Sequence, residues 1–173
     1  DPARFRPLYD RHYEPVFRYL YNRSQNEELA ADICAQVFLK ALQRLGEYTF
    51  QGVPFAAWLF RIAANEIAQH YRQSQKARIV SVEEGGLHDL ADEIEEEDRS
   101  EAQRALLMQA MQTLKEVDME LIEMRFFEQR SFRDIADILG ITESNAKVKT
   151  YRVLERMKGV MTALAKNNPA SEE

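Results

Sequence analysis

Apolar side chains recur at steps of three and four residues on both sides of one acid-rich stretch, and that rhythm makes the chain a helix former throughout. Phe5, Leu8, Tyr9, His12, Tyr13, Val16, Phe17, Leu20 and Tyr21 lie on one stripe of a helical period. Ala30, Ile33, Cys34, Val37, Phe38, Ala41, Leu42 and Leu45 form a second stripe. Asn26 is its expected cap and Gly46 its expected stop. Residues 47–53 read as a loop. Pro54 suits the first turn of a third helix, striped by Phe55, Trp58, Leu59, Ile62, Ala63 and Ile67. Six Gly and five Pro are too few for a turn-rich β fold. The expected fold class is all-α, with two small helical domains joined by a flexible acidic linker.

The formal net charge of −6 hides a partition. Residues 1–76 hold 10 basic and 8 acidic side chains, residues 77–103 hold 2 and 10, and residues 104–173 hold 11 of each. The whole acidic excess sits in the middle segment. Its Ile79-Val80-Ser81-Val82 is β-prone, and Glu95-Glu96-Glu97-Asp98 is too charged to build a core, so 77–103 reads as a linker. The expected divisions are therefore 1–76, 77–103, 104–160 and a frayed tail, 161–173. From Lys147 to Lys166 there are six basic residues against one acid, Glu155. Net charge argues against a nucleic-acid partner, but contact with phosphates depends on which face is basic.

Beyond the linker, periodicity resumes at Ala102, Ala105, Leu106, Ala110, Met111 and Leu114, with Asp118 expected to cap the next short helix. The run from Ser131 to Arg152 then reads as a helix-turn-helix. Ser131 and Asp134 resemble a capping box. Ala136 is small where two helices must approach, Gly140 permits the turn, and Ile141 plugs it from within. Thr142 or Ser144 caps the last helix, expected to run to about Lys158. Ser144, Asn145, Lys147, Lys149 and Arg152 are its candidate DNA contacts. Residues near such a helix's start reach base edges, and cations neutralise phosphates. An ordinary helical hairpin with a solvated basic face is the alternative. Nearer the amino terminus, Tyr48, Phe55, Trp58 and Tyr71 lie near Arg61, Arg72 and Lys76, with Asn65 and Gln69 between them. That mixture suits stacking on unpaired bases, and it equally suits a helical core.

Together, three segments resemble the bacterial RNA polymerase sigma factors, and the small two-domain plan is similar to their extracytoplasmic-function group. They are Ala31-Asp-Ile-Cys-Ala-Gln-Val-Phe-Leu-Lys-Ala41, Phe55-Ala-Ala-Trp-Leu-Phe-Arg-Ile-Ala-Ala-Asn65 and the helix-turn-helix. The resemblance covers about residues 5–76 as region 2 and 104–160 as region 4. It implies that Asp32, Gln36, Leu39 and Lys40 bind the β′ clamp helices of core RNA polymerase. It implies that Tyr48, Trp58, Arg61, Asn65 and Arg72 engage the minus-ten element and capture a flipped base, at a cost of a few kcal/mol of unstacking. Region 4 would read the minus-thirty-five element through Ser144, Asn145, Lys147, Lys149 and Arg152 and dock on the β flap. An anti-sigma protein is a further implied partner. The linker would be a solvated spacer, or would thread the polymerase's basic channel as a nucleic-acid mimic. Gln69, Asp134, Ala146 and Thr150 depart from the family pattern, and the last two are expected to loosen packing of the recognition helix.

Enzyme readings find little support. His12, His70 and His88 form no metal-ligand spacing, there is no Gly-rich phosphate loop, and Cys34 lies on an apolar stripe as a small core residue. No cofactor or metal is expected. No apolar run approaches the roughly 20 residues of a membrane span, and the chain opens without a secretory h-region, so a cytoplasmic protein is the expectation. A stand-alone helix-turn-helix repressor and a non-DNA-binding adaptor are the rival functions.

Overall fold

A computed structural model describes residues 2–48, 52–74, 84–94 and 100–167. The chain divides into two compact units, 1–81 with 137–140 and 82–136 with 141–173. Among the described residues every regular element is helical.

The first unit is built from α1 (Pro2–Ser24), α2 (Glu27–Gln43) and α3 (Phe55–Ser74). Helix α1 runs through Pro7 and Pro15, each of which removes one backbone donor from the ladder. Its inward stripe is shifted from the expected one. Phe5, Val16, Tyr19 and Leu20 are buried, whereas Tyr9 and Tyr21 are exposed. Tyr13, Phe17 and Tyr21 stack in register at one-turn intervals, with ring planes 20° and 12° apart. Arg23 is fully buried. Its guanidinium lies 3.4 Å from the centre of the Tyr19 ring and donates to the Tyr19 carbonyl, and the Tyr71 hydroxyl donates to the Arg23 carbonyl. The Tyr71 bond fastens the end of α3 to the end of α1.

Asn26 caps α2, its side chain accepting from the Leu29 N–H at 3.0 Å. The helix stops at Gln43, earlier than Gly46, because a 3-10 turn over Leu45–Glu47 takes up the chain. Pro54 stands just before α3, and its carbonyl accepts the first helical bond from Trp58. Ile33, Cys34, Val37 and Phe38 of α2 and Leu59, Ile62, Ala63 and Ile67 of α3 fill the core. Burial pushes the Cys34 thiol up to about 12, as suits a packed apolar group.

The second unit begins inside the expected linker. Residues Glu84–Glu93 form helix α4. Leu87, Leu90 and Ile94 recur at three and four residues and are buried. That spacing is helical, and the dense acids around it mask the signal. Gly86 allows the approach: a Cβ there would meet the Phe126 carbonyl oxygen at 2.9 Å. Ile79–Val82, Glu95–Asp98 and residues 168–173 lie outside the described residues. Helix α5 (Glu101–Gln112) is capped by Ser100. Helix α6 (Glu116–Ile122) is preceded by Lys115 rather than capped by Asp118, whose carboxylate instead pairs with Arg156 at 2.9 Å. A π-helical turn, Glu123–Phe127, prolongs α6 and presents Phe126 and Phe127 to α4. Helix α7 (Phe132–Leu139) belongs to this unit as far as Ala136, and helix α8 (Glu143–Lys166) completes it. Helix α8 outruns the expected end near Lys158, because Met161 continues its buried stripe.

Candidate functional site

Helix α8 turns Ala146, Thr150, Val153, Leu154 and Met157 inward. A 3.6-residue period then forces Ser144, Asn145, Lys147, Lys149 and Arg152 outward, and all five are exposed. The turn before it is tightly specified. Gly140 takes φ +70°, a left-handed value that favours glycine, and the Ile141 N–H donates back to the Ala136 carbonyl at 3.0 Å. The Ser131 hydroxyl accepts from the Asp134 N–H at 3.1 Å. Thr142 is the cap of α8, its hydroxyl accepting from the Asn145 N–H at 3.1 Å, which leaves Ser144 on the exposed first turn. Ile141 is only half-buried. Ala146 and Thr150 do not loosen the helix: both are buried, and the Thr150 hydroxyl donates to the Ala146 carbonyl at 2.8 Å.

In the first unit the candidate surface is a groove of about 530 Å³ between α2 and α3. Asp32, Gln36, Leu39 and Lys40 share one face of α2 and line it. Leu39 is 55% exposed, a large apolar side chain held in water at the rim. Lys40 does not stand alone, since its ammonium is hydrogen-bonded to the Glu66 carboxylate of α3. Glu66, Gln69, His70 and Gln73 supply the opposite wall. Sequence reasoning missed that wall, because nothing in the periodicity of α3 says which helix its polar face meets. An exposed leucine among amides and one ion pair suits another protein's helix, with an apolar anchor inside a polar rim.

The aromatic set is only partly assembled. Tyr48, Phe55 and Trp58 meet at centroid distances of 5.3 to 5.4 Å. The Tyr48 hydroxyl donates to the Val53 carbonyl at 2.9 Å, which ties the two ends of the loop together. His12 joins the cluster 5.4 Å from Phe55, and burial first, then Arg11, holds its imidazole below the ordinary value. Trp58 and Arg61 are half-buried, and Asn65 and Arg72 are exposed on the same helix. Arg72 is about 21 Å along α3 from Trp58 at 1.5 Å per residue, so it extends the face instead of joining the cluster. Tyr71 belongs to the fold, through its bond to Arg23.

Among the described residues no group of three or more His, Cys, Asp or Glu side chains is gathered for a metal ion, and no helix is long and apolar enough to cross a membrane.

The family described as Sigma-70 region 2 matches residues 8–77, and Sigma-70 region 4 matches residues 104–157. The ECF RNA polymerase sigma factor BldN of Streptomyces coelicolor is 30% identical over 154 residues, 88% of this chain, and the chain spans 58% of that protein's length. The RNA polymerase sigma factor YlaC of Bacillus subtilis is 27% identical over 90% of both chains. Among solved structures, the sigma factor RpoE in complex with the anti-sigma factor NepR from Bartonella quintana matches with a TM-score of 0.54. That match covers 91% of this chain and 96% of RpoE at 18% identity, so it bears on the fold alone.

Proposed function

The chain belongs to the extracytoplasmic-function group of RNA polymerase sigma factors, and from that premise we propose which of its surfaces do a sigma factor's work. Residues 1–76 act as region 2 and 104–160 as region 4. The α2–α3 groove, with Asp32, Gln36, Leu39 and Lys40, docks on the β′ clamp helices of core RNA polymerase. The Tyr48–Trp58 cluster receives an unstacked base of the minus-ten element, with Arg61, Asn65 and Arg72 following the strand along α3. Helix α8 enters the major groove of the minus-thirty-five element. Ser144, Asn145 and Arg152 face bases, and Lys147 and Lys149 face phosphates. The chain does no chemistry itself, because the polymerase makes the bonds, and it works in the cytoplasm, where the polymerase is. The β flap and an anti-sigma protein are the further partners the family suggests.

One observation supports this reading over its rivals. Leu39 stands exposed in a polar groove remote in sequence from the helix-turn-helix. A repressor reading duplex DNA alone has no use for that groove, and an adaptor has no use for the cationic face of α8. The test is run-off transcription by core polymerase supplied with this chain, on templates selected from a random promoter library. The reading expects specific initiation that both Leu39→Arg and Arg152→Ala suppress. A Leu39→Arg protein that still supports initiation removes the groove from the account. Function that survives Lys147→Ala with Arg152→Ala favours the adaptor.

A further inference from the structure

The outward face of α8 is not uniformly polar. Val148 is 45% exposed and Tyr151 44% exposed, whereas the other exposed residues from Glu143 to Arg152 are polar or charged. Val148 lies four residues from both Ser144 and Arg152, on the line joining the helix start to the guanidinium. Lys147 and Lys149 flank it on either side. The Tyr151 ring lies 6.3 Å from Phe132 of α7, over which the Arg125 guanidinium sits at 4.0 Å. An apolar strip therefore runs across the face from Val148 towards α7. Folding does not account for Val148: it is outside the core, and a β-branched residue is a weaker helix former than the lysines beside it.

We propose that Val148 is a specificity-determining residue that selects thymine at one position of the upstream element, through contact with its C5 methyl group. The proposal rests on the reading of α8 as the major-groove helix and goes beyond it by naming the residue and the chemical group it reads. Of the four bases only thymine offers a methyl in the major groove, and short apolar side chains are its natural contacts. Val148 is the sixth residue of α8, within the first two turns that reach base edges in this motif. The flanking lysines would hold the backbone on both sides, so a small apolar side chain between them meets the groove floor. Water leaves both the valine and the methyl, and the methyl group is what the base is chosen by.

The test uses holoenzyme assembled from core RNA polymerase and the full chain. An upstream duplex is first selected from a randomised pool, and each thymine in it is then replaced singly by deoxyuridine, which lacks only the methyl. At one position wild-type binding should fall about fourfold, the effect of withdrawing one buried methyl. Val148→Ala should remove that dT-over-dU preference while leaving the other positions unchanged. Lys147→Ala should weaken all the duplexes alike and keep the preference. A selected element without thymine, indifference of the wild type to every exchange, or a Val148→Ala protein that keeps the full preference would each overturn the proposal while the reading of α8 stands. Failure to select any upstream duplex would remove the major-groove reading and this proposal together.

Discussion

Helix α8 of the second unit keeps its core on one stripe and its candidate contacts on the opposite one, whereas the candidate surface of the first unit is shared by α2 and α3. On α8, packing and candidate contacts fall to different side chains. Met157 packs, Arg152 faces solvent, and neither depends on the other's role. In the first unit the two overlap. Lys40 lines the groove and also ties α2 to α3 through Glu66, and Tyr48 belongs to the aromatic cluster while its hydroxyl fixes the loop. A surface on one helix can be altered residue by residue. A surface made by two helices moves with their packing.

The most damaging changes should be those that ignore this distinction. Leu59→Ala in the first unit and Met157→Ala in the second each empty a fully buried site and should cost about 2–5 kcal/mol in urea denaturation. Next comes Leu39→Arg, which should weaken polymerase binding by about 2–3 kcal/mol with the urea midpoint unchanged. A shifted midpoint would mean that Leu39 belongs to the packing. On α8, Arg152→Ala should cost about 1–3 kcal/mol and relax selection at one base, while Lys147→Ala should weaken all duplexes and reduce the salt slope by about 1. The Lys40–Glu66 pair should show a coupling below about 1 kcal/mol in a double-mutant cycle, because the Lys40 side chain is 39% exposed. A larger value would make the pair a structural clamp and sharpen the contrast with α8.

Smallest at neutral pH is the effect of Cys34. Its thiol is raised by burial from 9.0 to about 12, so the neutral form is favoured in the folded chain. The stability this contributes is complete below pH 9.0 and is lost as pH rises towards 12. A disulfide reagent at pH 8 should therefore react slowly with the native protein and quickly in urea. Fast native reaction would place Cys34 outside the core.

What was legible in the sequence follows the same division. Asn26, Gly140 and Thr142 act through bonds to residues a few positions away, and such local chemistry can be read along the chain. The outward set of α8 follows from the inward one by period alone. Glu66 could not be found that way, since its role depends on which helix α3 meets. Helix α4 was hidden because the acids around Leu87, Leu90 and Ile94 lower the mean hydropathy without disturbing the spacing that buries them. The π-helical turn at Glu123–Phe127 left no periodic signature, being a single register shift. The exposure of Val148 follows from the same helical period, but the period does not say what an apolar side chain on that face would touch.

Engagement of core RNA polymerase through the α2–α3 groove is the step on which the rest of the proposed function depends. Its most direct test is co-migration on a sizing column of purified core polymerase with the full chain, beside the Leu39→Arg variant at a matched urea midpoint. A stoichiometric complex is expected with the wild type and a greatly reduced one with the variant. A folded wild-type chain, free of any copurified inhibitor, that forms no complex would contradict it.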